Sequence, residues 1–125
     1  MTTILNITQH SATPEQKAAG VVDLPESSRI ELCRLLTFDN LPDKKELDER
    51  ANSVLLLVKS IRDTYNTDVV MIGGAPFFMP TIYRCLEEHG YTPCFAFSKR
   101  TSSERIKEDG TVEKISCFRH EGFVF

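Results

Sequence analysis

The stretch Asp68-Val69-Val70-Met71-Ile72-Gly73-Gly74-Ala75-Pro76 decides the fold. Its first five residues (DVVMI) form a nearly continuous apolar run, with no polar residue alternating through it. A strand covered on both faces reads that way, and such strands belong to parallel sheets. Two glycines and a proline then turn the chain. Phe77 to His89 follow, with Phe78, Met79, Ile82, Cys85 and Leu86 at helical spacing, and Gly90 ends that helix. Thr92 to Phe97 (TPCFAF) is the next strand. Strand, turn, helix and strand make a βαβ unit, which requires a parallel pair.

The same alternation continues toward the N-terminus. Asp43 and Glu46 form a capping box that opens a helix reaching about Tyr65. Leu47, Ala51, Val54, Leu55, Val58 and Ile61 recur at three and four residues and give it one buried face. Residues 26–36 (ESSRIELCRLL) read as a further helix with Ile30, Cys33 and Leu36 on one face, broken by Asn40-Leu41-Pro42. Thr3 to Gln9 reads as the first strand, and Thr13-Pro14-Glu15-Gln16 as a helix start closed by Gly20. Val21 to Leu24 is a short strand. Toward the C-terminus, Ser102 to Lys107 and Val112 to Phe118 flank Glu108-Asp109-Gly110, a hairpin signal, and Arg119 to Phe125 is strand-like. The expectation is one α/β domain over residues 1–125. It is a Rossmann-like three-layer sandwich, with a mostly parallel sheet and a C-terminal antiparallel β-hairpin.

Composition narrows the function. A chain of 125 residues buries roughly two-thirds of its unfolded surface and needs no covalent staple. With 15 basic and 18 acidic residues its net charge is −3, which argues against a general grip on duplex nucleic acid. A small anion held by a few local cations remains compatible. No apolar run approaches a membrane span, and residues 1–10 lack the pattern of a signal peptide, so a cytoplasmic protein without membrane contact is expected. Cys33, Cys85, Cys94 and Cys117 are scattered, with no CxxC, and read as buried apolar residues rather than disulfides or metal ligands. No cofactor or metal site is indicated.

In an open parallel sheet, ligands bind beyond the carboxyl ends of the strands. Three polar clusters are expected there. Thr8, Gln9 and His10 follow the first strand, Gly73, Gly74 and Ala75 follow the third, and Ser98, Lys99 and Arg100 follow the fourth. Glycines let a backbone approach a ligand, and a following helix N-terminus offers N–H donors and partial positive charge. A tight turn needing positive φ explains the same glycines. His10 suits acid–base work or a hydrogen bond to phosphate, and equally a loop that ties down the next helix. Arg100 fits a phosphate bidentately and Ser98 adds a hydroxyl, although a solvated loop would look the same. His120, beside Arg119, is a secondary candidate, and His89 suits a helix C-terminus. The phenylalanines, Phe77, Phe78, Phe95, Phe97, Phe118, Phe123 and Phe125, read as core. The glycine turn is neither GxGxxG nor a Walker loop.

Two stretches carry a family resemblance. Leu5-Asn6-Ile7-Thr8-Gln9-His10 with Thr13-Pro14-Glu15-Gln16 resembles the opening of the small stand-alone CRISPR-associated Rossmann fold (CARF) proteins. The run from Val69 to Phe123 is similar to their strand, glycine turn, helix, strand, "S/T-x-R" step, Asp-Gly hairpin and terminal Phe-x-His. The resemblance implies a homodimer that binds a cyclic oligoadenylate, and in its ring-nuclease members cleavage of that ring without metal. Antiviral defence is the implied setting. It maps Thr8 and His10, Gly73 and Gly74, and Ser98 and Arg100 onto the site, with catalysis on His10, Ser98 and Arg100; Gln9, Ala75, Lys99 and His120 join the expected ligand contacts from their own places at the strand ends and the hairpin. This chain has Gly74-Ala75 where such relatives carry Gly-Asp or Gly-Glu. A non-catalytic nucleotide sensor or sponge, or a partner-binding α/β module without ligand, therefore stands beside the enzyme.

Overall fold

The computed structural model describes residues 2–125. In chain order the elements are β1 (Ile4–Ile7), α1 (Pro14–Ala18), β2 (Val21–Val22), α2 (Glu26–Leu36), α3 (Lys44–Tyr65), β3 (Val69–Ile72), α4 (Met79–Glu88), β4 (Thr92–Ile106) and β5 (Val112–Val124). The five strands form one sheet in the order β2-β1-β3-β4-β5. β1 pairs in parallel with β2 and β3, and β3 with β4, while β4 and β5 are antiparallel. The result is the mixed α/β, Rossmann-like sandwich expected.

The period-two alternation of the central strands divides the core. Leu5, Ile7, Val70 and Ile72 face one side and pack with Leu32, Leu35 and Leu36 of α2, Val54, Leu55 and Val58 of α3, and Ile82 and Leu86 of α4. Ile4, Met71 and Cys94 face the other side with Ala12 and Val21. The caps fall where the sequence puts them. Thr13 and Gln16 close a reciprocal box on α1, and Asp43 accepts from the Glu46 amide at the start of α3.

Five expectations need correction. Ile30 is 67% exposed; α2 turns its leucines, not Ile30, into the core. α4 begins at Met79 rather than Phe77, because Pro76 to Phe78 form a separate turn closed by the Phe78 amide on Ala75 O at 2.9 Å, with the Phe78 ring fully buried. The fourth strand does not stop at Phe97. β4 continues to Ile106 and pairs with β5 from Phe95/Val124 to Ile106/Val112. Beyond Phe97 this two-stranded ribbon leaves the sheet and none of its residues is buried. Phe97, Phe118 and Phe125 are accordingly exposed rather than core, as is Phe77. Cys117 lies on the ribbon and is exposed, and Cys33 and Cys85 are half-buried; only Cys94 is fully buried. We call Ser98 to His120, with its turn, the arm, and the rest the body.

Among the described residues no helix is long and apolar enough to cross a membrane.

Candidate functional site

β1 leads to β2 in one direction along the sheet and β3 lies on its other side. The strand order therefore reverses between β1 and β3, and the crevice outside their carboxyl ends is where this architecture holds ligands. The two loops leaving these strands meet there. A Cβ on Gly73 would stand 3.3 Å from Cγ2 of Thr8, so only glycine permits this closeness without displacing Thr8. Gly74 has φ +149, a backbone that side chains rarely adopt.

The β1 loop is built on one buried polar residue. Asn6 is 4% exposed. Its Nδ2 donates to His10 O and to Asp23 Oδ1, both at 2.8 Å. Its Oδ1 accepts from the Thr8 amide at 3.1 Å and the Thr8 hydroxyl at 2.7 Å. Asp23 Oδ1 also accepts from the Ala12 amide at 2.9 Å. A buried amide so satisfied fixes the curl of Thr8 to Ala12 and stands His10 at the crevice mouth. Burial pushes the Asp23 carboxyl up. The hydrogen bonds from Asn6 and Ala12, with nearby Arg29 and Lys17, outweigh that and hold it below its ordinary value.

The crevice has a volume of about 520 Å³ and is lined by Thr8, Gln9, His10, Gly73, Gly74 and Ala96, among others. Gln9 also reaches away, its Nε2 donating to Thr37 Oγ1 at 2.9 Å beyond the end of α2. On the other side of the glycine turn lies an apolar groove of about 750 Å³, lined by Pro76, Met79, Pro80 and Tyr83. The two cavities share Gly73, Gly74 and Phe95. Phe95 stacks on Tyr83 with ring centroids 6.2 Å apart and planes 3° from parallel. Ala75 is half-buried and packs against the main core.

Two of the three expected clusters thus converge, and the third does not. Ser98, Lys99 and Arg100 are strand residues, paired with His120, Arg119 and Phe118. Arg100 donates to Ser116 Oγ at 3.2 Å across the ribbon. The expectation of a loop here fails because a polar strand with no core against either face has the hydropathy of a loop. His120 lies closer to the body. Its amide donates to Glu15 Oε2 at 3.0 Å and its ring packs on Phe123 at 4.8 Å. Asn6 and Asp23 carry no site role from sequence, because their pairing spans 17 residues and depends on the fold. Among the described residues no group of three or more His, Cys, Asp or Glu side chains is placed to hold a metal ion.

The family model for the uncharacterized protein MJ1673 family matches residues 2–124. No curated protein and no solved structure matches the chain.

Proposed function

We propose that this chain, which belongs to the uncharacterized protein MJ1673 family, binds a small nucleotide, of the cyclic oligoadenylate class, in the crevice between β1 and β3. One observation supports this above the others: a crevice edged by the polar Thr8, Gln9 and His10 and an apolar groove meet at the same glycine turn. A nucleotide has the matching two-sided character. Its phosphate would approach the Gly73-Gly74 backbone, its ribose the Thr8 and His10 side, and its base the groove beside Phe95 and Tyr83. Apolar cavities with a few convergent polar groups at a strand-order reversal are where such ligands bind.

A second, catalytic reading rests on His10 at the crevice mouth. In it the ribose 2′-OH attacks the neighbouring phosphorus and the P–O5′ bond breaks. A 2′,3′-cyclic phosphate end and a 5′-OH form, with His10 taking the 2′-OH proton and a proton from solvent water going to the departing 5′-oxygen. Ser98 and Arg100 lie outside the crevice lining, so binding without cleavage is the primary reading.

Calorimetric titration with cyclic oligoadenylates of several ring sizes, with AMP as comparison, tests it. Saturable binding is expected, abolished in Gly74→Val and weakened in His10→Ala by roughly ten- to a hundredfold if a charged hydrogen bond is lost. No binding to the wild type, or full affinity in folded Gly74→Val, overturns the proposal. Chromatography of the recovered ligand separates the readings. Intact rings indicate a binder, and a 2′,3′-cyclic phosphate product absent from His10→Ala indicates an enzyme. Arg100→Ala reports whether the ligand extends to the arm.

A further inference from the structure

We propose that the side of the arm continuous with the α4 face of the sheet, together with the apolar groove at its foot, is a binding track for a single strand of nucleic acid. β4 pairs with β3 only as far as Met71/Cys94 and then runs on past the glycine turn, so the arm leaves the sheet at the end where the crevice and groove open. Side chains alternate along a strand, so Phe95, Phe97 and Lys99 share one face at intervals of about 6.6 Å. Phe95 fixes which face this is, because its ring lines the groove and stacks on Tyr83 of α4. Arg119 joins them, paired directly across from Lys99. Phe97 is 54% exposed, and its cross-strand partner is Gly122, which puts no side chain beside it. The rings of Tyr83, Phe95 and Phe97 thus lead to two cations, with Arg84 as a third on the wall of the groove.

Charge and ring chemistry select the occupant. Arg84, Lys99 and Arg119 are exposed, and among the described residues none of the three is ion-paired. Like charges directly opposite each other destabilise a lone ribbon, and an anion lying between Lys99 and Arg119 removes that cost. In a chain of net charge −3 this cluster is a local feature, suited to a few phosphates rather than to a long duplex. Exposed rings flanked by cations are how single strands are held: bases stack on the rings and the phosphates follow the cations. A duplex hides its base faces, and an acidic side chain has no face to lay on Phe97. The lower end of the track is the groove proposed for the base, and to that extent this inference rests on that reading. Phe97, Lys99 and Arg119 lie outside the lining of both cavities.

Fluorescence anisotropy of the full chain with a labelled single-stranded RNA of about twelve nucleotides tests this. Saturable binding that falls with rising salt is expected, with weaker binding of the same sequence as a duplex and of polyglutamate. Lys99→Glu should weaken it by about tenfold or more and Phe97→Ala by roughly tenfold, each with an unchanged circular dichroism spectrum. Lys114→Glu makes the same change of net charge on the opposite face of the ribbon, where Lys114 pairs with Glu104, and should stay within about twofold of the wild type. Saturating RNA should also slow thiol labelling of Cys117, which pairs with Thr101 on the face of the track. Calorimetry separates this site from the crevice. A wild type that takes the RNA but no cyclic oligoadenylate would sink the crevice reading and leave the track standing. No binding of the single strand, equal affinity for the duplex or polyglutamate, or equal effects of Lys99→Glu and Lys114→Glu overturns the proposal.

Discussion

β4 crosses two different physical situations within a few residues. At Cys94 it is fully buried beside its parallel neighbour β3, and from Ala96 onward the strand lies almost wholly at the surface. In the body, hydrogen bonds organise residues that apolar burial already holds together. In the arm, the ladder to β5 is nearly all there is, supported by cross-strand pairs such as Arg105–Glu113 at 3.2 Å. The comparison teaches that strand pairing and core formation are separable. A chain can specify register through a turn alone, here Asp109 accepting from the Thr111 amide and hydroxyl, while leaving both ribbon faces open.

The largest effect that tests this division is a core truncation. Phe78 is fully buried and meets Phe38 edge-on at 5.3 Å. Phe78→Ala should cost about 3–5 kcal/mol in urea unfolding; a smaller loss would mean that the core repacks and the boundary between the regions is less sharp. Next are the thiols. Burial pushes Cys94 up to about 11 from 9.0, about a hundredfold less thiolate near neutrality. A thiol reagent on the native protein should therefore label exposed Cys117 first and Cys94 last. Equal rates would show that the body opens as readily as the arm.

Asn6→Ala removes the bonds that curl the β1 loop. It should cost about 1–3 kcal/mol and lower ligand affinity with it, measured by unfolding and calorimetry together. Asp23 supplies a smaller, pH-dependent part. Its folded carboxyl lies below its ordinary 3.8, so the stability it adds is complete above that value and is lost as pH falls through the lower folded value. Between neutrality and acid, Asp23→Asn should flatten the stability curve; a parallel curve would show that the Asn6–Asp23 bond does no work in the native state. The smallest effect belongs to the arm. Ser103→Ala should shift unfolding by less than about 0.5 kcal/mol, and a larger shift would place the arm in the cooperative unit.

Legibility in the sequence followed the same division. The long α3 face, the caps at Thr13 and Asp43 and the buried β3 run were readable because burial imposes a period on the residues that experience it. So was half of the site: Thr8, Gln9, His10, Gly73 and Gly74 follow from knowing where parallel strands end. Ile30 was misplaced because spacings of three and four allow a helix to be read one position out of phase. Ser98 to Arg100 looked like a loop because a strand solvated on both faces has no hydropathy period, and its partner lies across a hairpin. The Asn6–Asp23 bond is a tertiary pairing that no local pattern announces.

At the junction of the two regions Phe97 pairs with Gly122 and Ser98 with His120, leaving Glu121 as an unmatched residue. Such a bulge bends and twists the strand that contains it. Removing Glu121 would leave every other cross-strand partnership as it is while altering the angle at which the arm departs. The aim of the arm is thus held in one exposed position, separate from the residues that build the core and those that line the crevice. A lineage could swing this lever toward a differently shaped neighbour through a single-codon deletion, with the body folding as before.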